Sequence, residues 1–169
     1  RDLHPRVRRQ RQMCIRDKLY APEEMCSYKD TADFFWVTDH GTRGRIDMVV
    51  YSFPYVSGRT FTLDYLVAMR DSVLGEHIQG AFPGSYMTTE KRFTPSYEAI
   101  SKNGEYCGVV RGLWEMEGDM MGGPFVSHAH LDEKNQRVVV AETFVYAPGT
   151  KKAKLLRRGE ASLYTFCMD

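Results

Sequence analysis

The sequence predicts an α+β domain in which a mainly antiparallel sheet packs against two amphipathic helices. Three observations lead to this prediction: a β-rich half with hairpin turns, one helical apolar stripe before it, and a second stripe after it. A sheet with helices packed on it is the simplest way to bury these faces together. The chain has 169 residues, of which 43% are hydrophobic, so one core and one domain are expected.

The strands are predicted from short β-favouring runs separated by turn residues. Asn103-Gly104 is a strong two-residue hairpin turn, and residues 132–136 form a second polar connection. The run at 45–53 is continuously apolar, which indicates that both of its faces are covered. The predicted strands are residues 34–37, 45–53, 86–93, 97–101, 106–117, 124–131 and 137–146.

Two helices complete the prediction. The first covers residues 63–77, with Thr62 as its N-cap and a stripe at i, i+3, i+4 spacing made by Leu63, Leu66, Val67, Val73 and Leu74. Arg70, Asp71 and Glu76 are expected off that stripe or at its border. The second covers residues 151–166, where Gly159 lowers helix propensity by about 1 kcal/mol relative to alanine.

Charge divides the chain into a basic tail, residues 1–18, and a body, residues 19–169. The tail holds seven Lys or Arg against two Asp, which leaves the body mildly acidic because the whole chain carries +1. The tail is expected to be disordered, and its segment 9–17 resembles a translated sequencing-adapter remnant, so it is interpreted as an artefact. An acidic body does not favour nucleic-acid binding.

Most enzyme motifs are missing from the sequence. It contains no G-x-S-x-G elbow, phosphate-binding loop, dinucleotide fingerprint or H-E-x-x-H pair, so neither a cofactor nor a catalytic residue is predicted. The four cysteines are far apart and show no metal spacing. They are interpreted as buried or incidental thiols rather than disulfides, and none can be placed beside a histidine. No apolar run reaches the roughly 18 residues that a membrane-spanning helix needs.

Several motifs resemble one bacterial family. They are residues 65–74, 84–90, 144–148 and the central stretch from Arg111-Gly112-Leu113-Trp114 to 121–127. The chain is similar to an uncharacterised domain-of-unknown-function family of lipid-anchored cell-envelope proteins from Bacteroidetes. That resemblance implies a periplasmic or outer-surface location, a lipid anchor outside this chain as its membrane contact, and a C-terminal piece of a longer protein. The order of elements also resembles PsbP-like α/β sandwiches. His128, His130 and Gly159 depart from the family pattern.

The stretch 111–125 is the predicted binding border of the sheet. Paired glycines allow a close backbone approach, and methionine adapts to irregular apolar partners. The alternative, a tight turn with its methionines in the core, is favoured for the Gly-Met segment itself, and Trp114 is expected to be buried. The candidate binding residues are Arg111, Trp114, Asp119, Met120, Met121, Gly122, Gly123 and Phe125.

An alternative hypothesis is a metal site that uses His128 and His130, which lie two residues apart on one strand face, with Asp119 or Asp132 as a third ligand. Two solvent-facing histidines are the preferred interpretation, so no metal is predicted. Three functions therefore remain open. They are an envelope domain binding a protein or small ligand, a metal-assisted hydrolase using His128 and His130, and a structural module that packs on a missing N-terminal region.

Overall fold

The computed structural model describes residues 10–13, 17–41 and 44–168. Within these ranges it contains a short 3-10 helix, Gly58–Phe61, and two α-helices, α1 (Leu63–His77) and α2 (Ala153–Leu163). The strands are β1 (Gln10–Met13), β2 (Asp17–Tyr20), β3 (Cys26–Asp30), β4 (Phe34–Thr38), β5 (Arg45–Pro54), β6 (Tyr86–Thr89), β7 (Ser96–Lys102), β8 (Glu105–Glu117), β9 (Gly122–Asp132) and β10 (Arg137–Tyr146).

The described strands β3 to β10 form one antiparallel sheet in the order β3-β4-β5-β10-β9-β8-β6, and β7 pairs with the other half of β8. The long strands β5, β10, β9 and β8 occupy its centre. Asn103 and Gly104 both have positive φ, 53° and 83°, as the predicted two-residue turn between β7 and β8 requires. The α+β prediction with a mainly antiparallel sheet and two helices is confirmed.

Each face of the sheet is covered by one helix. On the α1 face, Val49, Phe125 and Phe144 pack with Leu66 and Leu74. The opposite face packs against α2, and its core includes Met48, Val50, Val139 and Leu163. The apolar run of β5 therefore supplies both cores, which confirms that both of its faces are buried. Neither described helix is long and apolar enough to cross a membrane.

Helix α1 has the predicted bounds and N-cap, but its buried face differs from the prediction. Leu66, Arg70 and Leu74 are its buried residues. The expectation that Arg70 lies off the stripe is wrong, because the i+4 spacing puts it between the two leucines. Its guanidinium donates to the carboxylate of Glu142 on β10 through Nε at 3.0 Å and Nη2 at 2.7 Å, and it stacks on Phe125 at 3.8 Å.

The Arg70–Glu142 pair is enclosed, with side chains 2% and 0% exposed. Nη1 of Arg70 donates to Thr89 Oγ1 at 3.0 Å, and Thr89 donates to Asp71 at 2.6 Å. Burial raises the pKa of the Glu142 carboxyl, and the guanidinium of Arg70 offsets part of that rise. The network thus joins α1, β6 and β10 by charge-assisted hydrogen bonds in the interior.

Gly159 looks unfavourable for α2 in the sequence, yet it lies against the sheet. A Cβ at this position would lie only 2.1 Å from Thr143 Oγ1 and 3.2 Å from Ile46 Cγ2. Thr143 is buried and donates to the carbonyl of Asp47 at 3.0 Å, so its hydroxyl cannot move without breaking that bond. The glycine therefore permits the close approach of α2 to the sheet at the expense of helix propensity.

Other differences concern the N-terminal part and strand ends. The predicted strand 86–93 ends at Thr89, and β3 was not predicted. The tail, residues 1–18, is predicted to be disordered. Its described strand Gln10–Met13 instead pairs antiparallel with Asp17–Tyr20. Residues 1–9 and 14–16 lie outside the described residues, and the artefact interpretation stays a prediction.

Replacing one member of the buried ion pair is expected to be far more costly than replacing both. Arg70→Met leaves the Glu142 carboxylate buried without its cation, which typically costs about 3–5 kcal/mol. Adding Glu142→Leu removes the stranded charge and should recover most of that loss. Urea unfolding of both single variants and the double variant measures the coupling. Arg158→Met, which breaks a pair with Glu24 in which the two side chains are 47% and 61% exposed, should barely change stability. Additive losses in the cycle would contradict this account.

Two helical glycines should respond oppositely to alanine. Gly159→Ala is expected to destabilise the fold by about 1–3 kcal/mol, because overpacking against Thr143 outweighs the gain in helix propensity. Gly75→Ala in α1 should stabilise it by up to about 1 kcal/mol, since its Cβ meets neighbours only at 3.4 Å. The same urea assay compares them. If Gly159→Ala stabilised the fold, the close approach of α2 to Thr143 would not be required by the packing.

Candidate functional site

The turn that joins β8 to β9 shapes one end of the sheet. Glu115 on β8 pairs with Gly122 on β9, and Gly118 adopts a positive φ of 77° that glycine tolerates best. Asp119 accepts from its neighbour Met120 N at 2.7 Å. The predicted border is therefore the end of two adjacent inner strands, with β6 continuing the sheet beside β8, and not a sheet edge.

A groove of about 520 Å³ lies at this end and is called here the hairpin groove. Its walls also include Glu90, Arg92, Phe93 and Lys152, none of which the sequence analysis singled out. Six of the eight predicted binding residues line it: Trp114, Asp119, Met120, Met121, Gly122 and Gly123.

Two apolar side chains of the hairpin groove project into solvent. Met120 is 100% exposed and Phe93 is 60% exposed. Met121 is only partly buried and packs on the α1-face core. The interpretation that both methionines are packed in the core is thus wrong for Met120, which the turn holds outward, and agrees with Met121.

Gly122 and Gly123 make room for the backbone of neighbouring strands rather than for a ligand. A Cβ on Gly123 would lie 2.0 Å from the carbonyl oxygen of Val145, and one on Gly122 would lie 2.8 Å from that of Trp114. The indole of Trp114 is 1% exposed and donates to the same Val145 oxygen at 3.2 Å. The burial of Trp114 is confirmed, and the close backbone approach predicted for the glycines occurs between strands.

Arg111 and Phe125 do not contribute to the hairpin groove. Arg111 donates to Glu160 on α2 at 2.5 Å, because odd-numbered β8 residues face α2. Phe125 is buried on the opposite face beneath the Arg70 guanidinium. Strand alternation places Arg111 on the α2 face, whereas Phe125 shares the α1-face core with Trp114 and Met121 but does not line the groove.

Charges of both signs flank the apolar wall of the groove. Arg92 donates to Glu90 through Nε at 2.9 Å, and this hydrogen bond is the largest cause that lowers the pKa of Glu90 to about 2. Burial, together with the nearby Glu90 carboxylate, raises the pKa of Glu115. Nothing in the sequence connects residues 90–93 with the β8–β9 turn, since only the antiparallel pairing of β6 with β8 brings them together.

The histidines occupy the other end of the same two strands. His128 is 0% and His130 is 2% exposed, so the expectation of two solvent-facing histidines is wrong. Both face α2, whose C-terminal end covers them. The ring of His128 meets Tyr164 edge-on at 4.9 Å, and the ring of His130 lies 5.0 Å from Phe166.

Cys107 completes this group, which is called here the Cys–His cluster. Cys107 is paired with His130 across β8 and β9, and its Sγ lies 3.9 Å from Nε2 of His130. One ligand atom from each of Cys107, His128 and His130 lies within 4.8 Å of the others. Asp119 belongs to the distant turn, roughly 20 Å away along the strands. The predicted histidine pair therefore meets a cysteine and not Asp119.

The protonation of the Cys–His cluster follows from its burial. Burial lowers the pKa of His128 to about 4 and that of His130 to about 3. It raises the pKa of the Cys107 thiol to about 11. Among the described residues, neither ring nitrogen of His128 has a hydrogen-bond partner. Each such buried polar atom typically costs about 1–3 kcal/mol.

Comparison with solved structures finds several similar folds, among them the following two. The chain is 10% identical to a protein from Bacteroides thetaiotaomicron VPI-5482 whose crystal structure is known, with a TM-score of 0.45. The match covers 90% of this chain and 45% of that protein. It is 9% identical to a point mutant of the protein Mog1, with a TM-score of 0.50 and coverage of 90% of both chains. At this identity the second likeness concerns the fold alone.

Sequence comparison defines the family. No curated protein matches the chain. The family model described as "Domain of unknown function (DUF4837)" matches residues 9–165, which is nearly the whole chain. The chain therefore belongs to the DUF4837 family of domains of unknown function.

Proposed function

We propose that this domain is a non-catalytic module of a bacterial cell-envelope protein and binds a segment of another protein in the hairpin groove. The observation that carries the proposal is the pair of exposed apolar side chains, Met120 and Phe93, on the walls of one groove. Methionine and aromatic residues are enriched in protein interfaces, and an unbranched methionine adapts to irregular partners.

The rigidity of the surroundings supports binding at this place. Trp114 and Gly123 hold the backbone beneath the groove against the Val145 carbonyl, and Gly122 lies against the carbonyl of Trp114. A backbone that is already fixed beneath the groove loses little conformational entropy when a partner binds. The groove is therefore suited to an apolar side chain inserted by the partner.

The charges at the groove favour a partner with mixed polarity. Glu90 already pairs with Arg92, whereas Glu115 and Lys152 line the same walls. Opposite charges around an apolar contact orient a partner and raise the rate of association more than the affinity. A segment with one bulky apolar residue between polar ones fits this pattern better than a wholly apolar small ligand.

The proposed cell-envelope location and the PsbP-like fold comparison both rest on resemblance. The motifs at 84–90 and 121–127 resemble those of lipid-anchored Bacteroidetes envelope proteins, and this resemblance supports a periplasmic or outer-surface location. The two-helix sheet is compatible with the PsbP-like comparison, which remains an expectation. Cell fractionation of a producing bacterium tests the location.

Site-specific photocrosslinking tests the binding proposal. A benzophenone amino acid at position 120 should give a discrete protein adduct in cells, because this side chain is fully exposed on the groove. The same probe at Val56, 72% exposed elsewhere, is the matched control and should give none. Phe93→Ser should weaken the adduct at position 120 by about tenfold, the loss typical of a moderate interface contact.

Three results would count against the proposal. They are equal adducts from positions 120 and 56, an adduct insensitive to Phe93→Ser, and no adduct at all from position 120. An adduct within the same polypeptide would instead favour the structural-module hypothesis.

A further inference from the structure

We propose that Cys107, His128 and His130 form a binding site for a thiolate- and imidazole-preferring transition-metal ion, of which Zn²⁺ is the first candidate. The site is independent of the hairpin groove, because it lies at the opposite end of β8 and β9. Three ligand atoms from three residues converge there, one each from Cys107, His128 and His130.

The backbone arranges the three side chains without any loop. His128 and His130 lie two residues apart on β9, so both point to the α2 face. Cys107 is the cross-strand partner of His130, and paired side chains of adjacent strands lie close together. Rigid strands hold ligands more accurately than loops do.

The distances are close to those of a bound ion. The three ligand atoms lie within 4.8 Å of one another, and the sulfur–nitrogen pair is 3.9 Å apart. Tetrahedral zinc, with bonds of about 2.0–2.3 Å, places its ligand atoms roughly 3.5 Å apart. A contraction of about 1 Å, available from small side-chain rotations, brings the three atoms to that separation.

The unsatisfied histidine indicates a missing partner. His128 is fully buried, yet no described residue accepts from or donates to either of its ring nitrogens. An imidazole taken out of water without a hydrogen bond destabilises the fold. Coordination would satisfy one nitrogen with a strong bond, which neither the ring of Tyr164 nor that of Phe166 can provide.

The donor set selects the class of ion. One sulfur and two imidazole nitrogens suit zinc or copper, whereas calcium and magnesium require oxygen ligands. One thiolate reduces the charge of a divalent ion to a net single positive charge. The Cys107 thiol would lose its proton on coordination, because the thiolate is the form that binds a metal.

A small cavity adjoins the cluster at His130. A cavity of about 110 Å³ is lined by His130, Lys102, Phe166 and Cys167. Lys102 donates to the carbonyls of Leu163 and Phe166, which holds the segment after α2 over the histidines. The cavity also has room for a water molecule as a fourth ligand.

Metal content and cobalt spectroscopy test the site in the wild-type chain. The untagged full chain, produced with added zinc and dialysed, should retain one zinc ion per chain by elemental analysis. After chelation, anaerobic Co²⁺ should restore a near-ultraviolet thiolate-to-cobalt charge-transfer band and the intense visible bands of tetrahedral coordination. A parallel arm with Cu⁺ distinguishes a copper site from a zinc site, and Mg²⁺ and Ca²⁺ should not compete.

Variants identify the ligands. Cys107→Ser should abolish the charge-transfer band, and His128→Gln should weaken Co²⁺ binding by more than the roughly 10–100-fold that loss of a supporting partner costs. The matched controls, Cys26→Ser and His77→Gln, change the same residue types outside the cluster and should bind normally. Circular dichroism checks that each variant is folded. The metal and cobalt measurements on the wild-type chain do not depend on any variant folding.

Substoichiometric metal together with no charge-transfer band in the wild type overturns the proposal. So does equal loss of binding in His77→Gln and His128→Gln. The crosslinked adduct at position 120 and the metal content are measured in separate experiments. A negative metal result therefore leaves the groove proposal standing, and a negative crosslinking result leaves the metal proposal standing.

Discussion

The buried ion pair between Arg70 and Glu142 is the constraint on which the rest of the α1 face depends. Two ionised groups can stay in an apolar interior only when each satisfies the other with well-formed hydrogen bonds. Here the guanidinium is shared among Glu142, Thr89 and the Phe125 ring. That arrangement fixes the rotation of α1 over β10 and the position of β6 beside β8.

The same constraint reaches the hairpin groove. Thr89 ends β6, and its backbone N–H and hydroxyl both donate to Asp71 of α1. The next residues, Glu90 to Phe93, form one wall of the groove. Helix α1 is hydrogen-bonded to the end of β6, and the groove wall follows β6 directly along the chain. A displacement of α1 would therefore move Phe93 relative to Met120.

Much of the fold and the hairpin side of the groove could be predicted from local patterns, whereas residues brought together from distant positions could not. Alternation and turn residues were sufficient for β5, β8, β9 and β10, and the cap and stripe gave α1 its bounds. Hydrophobic periodicity treats arginine as a surface residue, so it could not show that Arg70 has a buried partner 72 positions away. Likewise, Gly159 is unfavourable on propensity and becomes intelligible only beside Thr143.

The histidines illustrate the same limit at the opposite end of the sheet. Their spacing correctly predicted a shared face, but strand periodicity does not tell which face is covered. Burial came from α2 and the segment that Lys102 holds over the strands. The pairing of Cys107 with His130 depends on the register of β8 against β9. That register is set by the hairpin turn at Gly118, far from either residue.

Arg70 and His128 are equally buried on opposite faces of the sheet, but within the described ranges only Arg70 has partners for its polar atoms. On the α1 face the Arg70 guanidinium donates to the oxygens of Glu142 and Thr89. On the α2 face His128 is equally buried, and both of its nitrogens stay unsatisfied by described residues. Folding alone would favour leucine or phenylalanine there, since an apolar side chain would fill the space without an unmet hydrogen bond. An imidazole pair with a thiol, whose ligand atoms lie within 4.8 Å of one another, is the reason for proposing a bound ion at this place.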